Sequence, residues 1–142
     1  MSGRISAQSA HFGSLSAGRI SGTVNIVSED RVNIQPGIEL PVVELTATGA
    51  AGKVAALMLN HASTIIAATI DAPSTGHLLF ISNTSASGTA AHTVTTPAGT
   101  TFDGTNNTAT LNAPGEALVV IGVSSTAYRV LLNVGSVGLS SV

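Results

Sequence analysis

The chain has 142 residues, of which 44% are hydrophobic and only 8% are charged, and its formal net charge is −2. Average soluble proteins carry roughly 25% charged residues, so few ionic groups hydrate this surface. The five basic residues are scattered along the chain, which excludes the basic patch of a nucleic-acid-binding protein. We therefore expect a subunit whose uncharged surface is partly covered by neighbouring chains.

Hydroxyl side chains dominate the polar residues, because Ser and Thr supply 34 positions. A Ser/Thr-rich monomer is the alternative interpretation of this composition. Cysteine is absent, so neither disulfides nor thiolate metal sites contribute. The first residues lack the continuous apolar stretch of a secretory signal, and no run has the composition of a membrane-spanning helix. We expect a protein made without the secretory pathway and without a membrane partner.

Residues 1–41 are poor in large side chains and rich in Gly and Ser, and they contain a short echo in which Gly-Arg-Ile-Ser occurs at Gly3 and again at Gly18. Apolar and polar residues alternate over residues 23–35 around a polar centre, a pattern that is typical of a hairpin. Pro36-Gly37 then favours a turn. The pattern predicts an extended N-terminal arm over residues 1–41 and a β-structured body over residues 42–142.

The body is a series of short β-type runs separated by Gly- and Pro-containing turns. Their number and spacing predict an all-β fold, a β-sandwich or jelly-roll-like body. The Gly-containing segments 48–52, 86–88 and 113–116 are among the predicted turns. The predicted strands are residues 42–48, 54–59, 64–70, 77–83, 92–95, 108–112, 117–123 and 128–134.

Residues 55–70 also fit a helix, since they contain many alanines together with Leu57, Met58 and Leu59. The β-branched residues of this stretch favour strands instead, and we prefer that interpretation.

Two runs are apolar at every position, namely residues 78–81 and 118–121. Such strands need cover on both faces, by a second sheet and by something else. Among the few aromatic residues, we expect Phe80 and Phe102 in the core.

Catalytic chemistry requires positioned carboxylates or a histidine with partners. Asp71 precedes Ala-Pro, Asp103 precedes Gly and Glu116 follows Pro-Gly, which are contexts in which turns ordinarily carry acidic residues. The histidines show no close ligand spacing, and His77 and His92 are the best candidates for a metal ligand shared between copies. A hydrogen-bonded structural role is the stronger interpretation. We expect no enzyme activity, no cofactor and no metal.

The segment from His92 to Leu111 combines a valine-threonine strand with the turn Gly104-Thr-Asn, and it precedes a corner at Gly115-Glu and a final strand from Tyr128 to Asn133. Over residues 78–141 this succession resembles the C-terminal β-structured part of tailed-bacteriophage virion proteins. Similar segments look like parts of head decoration (cement) proteins, and also of tail fibres.

The resemblance implies a capsid decoration protein on the virion exterior, which binds the major capsid protein as a homotrimer and stabilises the head. The alternative is a tail-fibre or receptor-binding head that recognises host glycans through loops such as residues 98–107. The repeat-like stretch at residues 16–22 favours that alternative, whereas the short arm-and-body plan favours decoration. The predicted interface residues lie in the arm: Arg4, Ile5, Phe12, Leu15, Arg19, Ile20, Val24 and Ile26.

Overall fold

The computed structural model describes residues 40–142, and within them every regular element is a β-strand. The all-β prediction is therefore confirmed. The strands are β1 (Val42–Leu45), β2 (Gly49–Gly52), β3 (Ala56–Leu59), β4 (Ala67–Ile70), β5 (Leu78–Asn83), β6 (His92–Thr95), β7 (Thr108–Leu111), β8 (Ala117–Gly122), β9 (Tyr128–Val134) and β10 (Gly138–Ser140).

The strands form two five-stranded sheets. Sheet 1 has the order β1-β3-β5-β8-β9, and sheet 2 has the order β10-β7-β6-β4-β2. The first six strands alternate between the sheets and pair in parallel. In sheet 1, β3 pairs with β1 and β5, and in sheet 2, β4 pairs with β2 and β6. The last four strands pair antiparallel. The first six strands thus alternate between two parallel sheets, and the last four add antiparallel strands to both sheets.

A single apolar core lies between the two sheets. Alternate residues of each strand point into it, such as Leu79 and Ile81 from sheet 1 and Val94 from sheet 2, and these side chains are almost fully buried. Each buried Leu, Ile or Val contributes about 1.5–3 kcal/mol to folding. Because side chains alternate along a strand, burying one set in the core leaves the other set on the outer side of each sheet.

Tyr128 at the start of β9 connects the core to two loops. Its ring stacks on Phe102 with centroids 5.8 Å apart, and its hydroxyl donates to the Asp71 carbonyl oxygen at 3.2 Å. Burial, with a smaller contribution from the Asp71 charge, raises the pKa of Tyr128 to about 12. The predicted core position of Phe102 is confirmed, since this side chain is fully buried.

All eight predicted strands are present, two of them with the predicted bounds (92–95 and 128–134) and six with shifted ends. The β-sandwich is confirmed, built from mixed sheets. The helical alternative for residues 55–70 is wrong, because β3 and β4 lie there. Segment 48–52 was predicted as a turn, but Gly49–Gly52 is an edge strand paired with β4. The predicted arm, residues 1–41, lies almost wholly outside the described residues, together with its hairpin.

Candidate interaction surface

The outward side of sheet 1 is apolar across all five strands. Residues that pair across neighbouring strands share one side of a sheet, so the register gives three rows of side chains on this side. The central row runs from Val42 through Ala56, Phe80 and Val119 to Leu132. A second row is Glu44, Met58, Ser82, Ala117 and Val134, and a third is Leu78, Ile121 and Arg129. We call these thirteen residues the apolar face.

Several large side chains on the apolar face are exposed. Phe80, at the centre, is 40% exposed, and Leu132 on the edge strand is 53% exposed. Ten large hydrophobic residues are exposed among residues 40–142, and five of them lie on this face: Val42, Leu78, Phe80, Leu132 and Val134. Scattered exposed apolar residues are ordinary, but their concentration on one side of a sheet is typical of an interaction site.

The exposed Phe80 contradicts the predicted core position for this residue. Phe80 pairs with Val119 on β8, and its neighbours Leu79 and Ile81 take the inward positions. The register that buries two aliphatic side chains therefore turns the ring outward. Residues 78–81 and 118–121 are expected to need cover on both sides. Within residues 40–142 only their inner side is covered, so the uncovered side is the apolar face.

The outward side of sheet 2 has the opposite character. Its paired outward positions include Thr69 with Thr95 and Thr93 with Thr110, and these four side chains are exposed or half-buried. Hydroxyl groups hydrogen-bond to water, so this side can remain hydrated. The two faces of one sandwich thus differ in chemistry, and only sheet 1 presents a surface that favours burial.

Charge on the apolar face is confined to its two edge strands. Glu44 lies on β1 and accepts a hydrogen bond from the Asn60 side-chain amide at 2.7 Å. Arg129 lies on β9, at the opposite edge of the sheet. The three central strands contribute no ionic group, so covering them leaves no buried charge without a partner.

Strand β9 forms one edge of sheet 1 and is the longest strand of the described chain. Its pairing with β8 shifts register between Val119 and Val120, which places Leu131 as the extra residue of a bulge. Leu131 is 56% exposed. Bulges bend an edge strand and discourage continuous pairing with other sheets. A partner at this edge would therefore be bound through side chains more than through backbone hydrogen bonds that extend the sheet.

The predicted metal candidates His77 and His92 both serve the fold. The His77 Nε2 donates to the Val54 carbonyl oxygen at 2.8 Å. In His92, Nδ1 accepts from the Ile66 backbone N–H at 3.0 Å, so in the neutral ring Nε2 bears the hydrogen and faces the Ser85 hydroxyl at 3.4 Å. Within residues 40–142, no three His, Asp or Glu side chains meet in a geometry suited to a metal ion.

The Ser85–His92 pair has the composition of a nucleophile and base, but its hydrogen bonding is wrong for that role. A catalytic base needs a free ring nitrogen facing the hydroxyl, whereas here that nitrogen is the donor. The Ser85 hydroxyl also donates to the His61 carbonyl oxygen at 3.1 Å and accepts from the His61 N–H at 3.0 Å. The pair is buried and holds the segment before β4 against the start of β6.

Glu116 and Asp103 occupy turns, as their sequence context predicted. Glu116 is buried, and one carboxylate oxygen accepts the backbone N–H groups of Asn112 and Ala113. Asp103 accepts from the backbone N–H and the side-chain amide of Asn106 and from the backbone N–H of Thr105, and these hydrogen bonds lower its pKa. The carboxylate oxygens of Asp103 thus accept hydrogen bonds from within the loop of residues 98–107, whereas Glu116 holds the turn before β8.

The predicted interface residues of the arm, from Arg4 to Ile26, lie outside the described residues. The sequence predicts only part of the apolar face. Residues 78–81 and 118–121 are apolar at every position, which indicates that their outer side also needs cover. Leu132, Val134 and Val42 could have been added by extending the same argument to neighbouring strands, but that step requires the pairing register.

No family model matches this chain, and no curated protein is significantly similar to it. The described residues include no helix of the length and apolar character needed to cross a membrane.

Proposed function

We propose that this protein is a structural subunit of a tailed-phage virion, a decoration protein that binds the outer capsid surface as a homotrimer and stabilises the head. The observation that carries the proposal is the apolar face, which joins an exposed Phe80 with exposed aliphatic side chains on three strands, β1, β5 and β9. A surface of this kind supports a protein that works by assembly.

The sequence supports the phage context through the resemblance of residues 78–141 to virion proteins. The segments that carry the resemblance form β6, the loop around Gly104, the Glu116 corner and β9. Each has a structural role in the sandwich, through the loop hydrogen bonds of Asp103, the turn held by Glu116 and the stacking of Tyr128. These roles fit a rigid scaffold that presents surfaces for binding.

The proposed protein has a structural role and no catalytic one. Candidate groups such as Ser85, His92 and Glu116 spend their donors and acceptors on the backbone or on each other. Such satisfied groups stabilise a fold, whereas catalysis needs groups aimed at a substrate.

Copy number in purified particles of the phage that encodes the protein tests the proposal. A decoration protein is expected in numbers comparable to those of the major capsid protein, measured by quantitative mass spectrometry of intact virions. Only a few copies per particle would contradict the proposal and favour the tail-fibre alternative.

A second arm of the experiment uses capsids that lack the protein. Purified protein added to such capsids should sediment with them and raise the temperature at which they release DNA. In a parallel adsorption assay, soluble protein should not compete with phage for host cells, whereas a receptor-binding head would compete.

A further inference from the structure

We propose that two copies of the free protein pack apolar face against apolar face, about a two-fold axis that lies in the interface and passes over Phe80 and Ala117. This inference goes beyond the proposed function and does not rest on it. The dimer belongs to the free protein, whereas the homotrimer proposed above belongs to the capsid. The occupant of the apolar face is thus a second copy of this chain.

The area of the apolar face is sufficient for a dimer in which each face covers the other completely. Its residues stand about 4.8 Å apart across the strands and about 6.8 Å apart along them, which gives a flat area on the order of 450 Å². Projecting side chains have a larger accessible area than their flat projection, so two faces together approach the roughly 1,200 Å² at the lower end of specific interfaces. A single two-fold contact uses the whole face of both copies.

The two charged residues of the apolar face lie at corners that a two-fold rotation exchanges. Glu44 is on β1 in the second row and Arg129 is on β9 in the third row, so the line between them crosses the face diagonally. The midpoint of this diagonal, on the middle strand and in the central row, is the position of Phe80. A two-fold axis perpendicular to the diagonal at its midpoint therefore brings Glu44 of each copy to Arg129 of the other. The dimer contains this pair of opposite charges twice.

The same rotation sets the angle between the strands of the two copies. The diagonal spans four strand spacings, about 19 Å, and two row spacings, about 14 Å, so it is inclined by about 35° to the rows. Strands of the two copies therefore cross at about 70°, close to the near-perpendicular class of sheet packing. The charge pattern thus selects a geometry that packed sheets commonly adopt.

The residues on the axis suit contact between identical copies. Phe80 meets Phe80 of the second copy, and an aromatic pair at the centre of an interface is a common source of binding energy. The axis then passes over Ala117, one strand and one row away, whose small side chain lets the two sheets approach. At the rim, the hydrogen bond from Asn60 uses Oε1 of Glu44 and leaves Oε2 for the arginine. Such rim charges fix orientation more than they add affinity.

Cross-linking tests whether Ala117 faces its own counterpart. The chain contains no cysteine, so Ala117→Cys places a single thiol on the axis and leaves Phe80 in place. A short bismaleimide, which bridges side chains of sheets packed about 10 Å apart, should link most of this variant into covalent dimers. Leu132→Cys is the matched control, because its thiol lies on the same face but about 16 Å from its counterpart along the interface. Equal linking of the two variants would overturn the proposed axis.

Mass measurements test whether the apolar face holds the copies together. Size-exclusion chromatography with light scattering and sedimentation velocity should give the wild type twice the chain mass. Phe80→Glu brings two carboxylates together at the axis and should weaken association at least about 100-fold. Thr69→Glu, on the outward side of sheet 2, should leave the dimer unchanged. Far-UV circular dichroism and the thermal transition check that each variant is folded. A monomeric or trimeric wild type would overturn the inference, as would a dimer that persists in folded Phe80→Glu.

Charge reversal tests the two corners. In about 0.05 M NaCl, where screening is weak, Glu44→Arg and Arg129→Glu should each weaken association about 5- to 10-fold, because each places like charges together at both corners. The double variant restores opposite charges and should associate within about twofold of the wild type. Single reversals without effect, or a double variant weaker than both, would overturn the charge arrangement.

Capsid addition separates this inference from the proposed function. A protein that is monomeric in solution but binds capsids overturns the dimer and leaves capsid decoration standing. A protein that forms the dimer but never binds capsids supports the inference and contradicts decoration.

Discussion

Because His92 is buried, we expect the stability of the fold to depend on pH through this side chain. Its Nδ1 accepts the Ile66 N–H, an arrangement that only the neutral ring allows, and burial lowers its pKa below the ordinary value of 6.5. The unfolded chain binds this proton near pH 6.5, whereas the folded chain binds it only at lower pH. The contribution of His92 to the free energy of unfolding is therefore complete above about pH 6.5 and is lost as the pH falls toward the folded-state value.

We expect urea unfolding to give a lower free energy of unfolding at about pH 5.5 than at about pH 7.5. In His92→Asn, the amide oxygen can still accept the Ile66 N–H, but the side chain does not titrate. This variant should be less stable at neutral pH and should show a smaller loss between the two pH values. An equal loss in the variant and the wild type would assign the pH dependence to other groups.

Glu116 is expected to be the most important carboxylate for stability among those of the body. It is buried and accepts two backbone N–H groups of the turn before β8, and Glu116→Ala leaves these donors unsatisfied. The variant should lose about 1.5–3 kcal/mol of unfolding free energy, measured by urea denaturation at neutral pH. Glu44→Ala is the matched control, because Glu44 is exposed, and its change should stay within about 0.5 kcal/mol. A loss in Glu116→Ala no larger than in the control would show that the turn does not depend on this carboxylate.

Strand packing depends on two glycines in different ways. At Gly122, the last residue of β8, a Cβ would overlap the Ser74 carbonyl oxygen, whereas at Gly49 on β2 no atom lies within 4 Å. Gly122→Ala should therefore destabilise the protein by about 1–3 kcal/mol. Gly49→Ala should be neutral or slightly stabilising, because it restricts the unfolded chain. Thermal unfolding of both variants measures the difference, and equal melting temperatures would contradict the close approach at Gly122.

Element prediction succeeded where the side chains themselves carry the strand pattern. Strands β5 and β8 are rich in large apolar residues and were found from sequence alone. Strand β2 was missed because Gly49–Gly52 has only small side chains, and its strand conformation depends on pairing with β4. Strand β10 has three residues and depends on β7 in the same way. Likewise, β4 begins only at Ala67, because the His92 side chain takes the Ile66 N–H.

The apolar face could be predicted only in part, because the sequence does not give the register of the strands. Sequence shows that residues 78–81 are apolar at every position, but it does not show which positions the core takes. The inward choice of Leu79 and Ile81 is made by the opposing sheet, and it turns Phe80 outward beside Val119. The parallel arrangement of β1 to β6 in two sheets likewise arises from long-range pairing that no local sequence pattern encodes.

On the scale of the whole molecule, the sandwich divides its surface into a hydroxyl side and an apolar side. A low charge content follows from this plan, because the apolar side gains by excluding ions and the hydroxyl side stays hydrated without them. Assembly through the apolar face should then be driven by removal of apolar surface from water, with ionic contacts limited to Glu44 and Arg129 at its edges.

The salt dependence of the proposed self-association tests this origin of the assembly. Raising NaCl from about 0.05 M to about 0.5 M shortens the screening length severalfold, yet the association constant should change by less than about threefold, because few charges lie at the interface. Ammonium sulfate should strengthen association, since excluded salts favour burial of apolar area. Sedimentation equilibrium of the wild type measures both responses, with Thr69→Glu as the control for an added surface charge. Association that is lost in NaCl would show that ion pairs hold the copies together, because the central strands of the apolar face, which carry Phe80 and Val119, contribute no ionic group for added salt to screen.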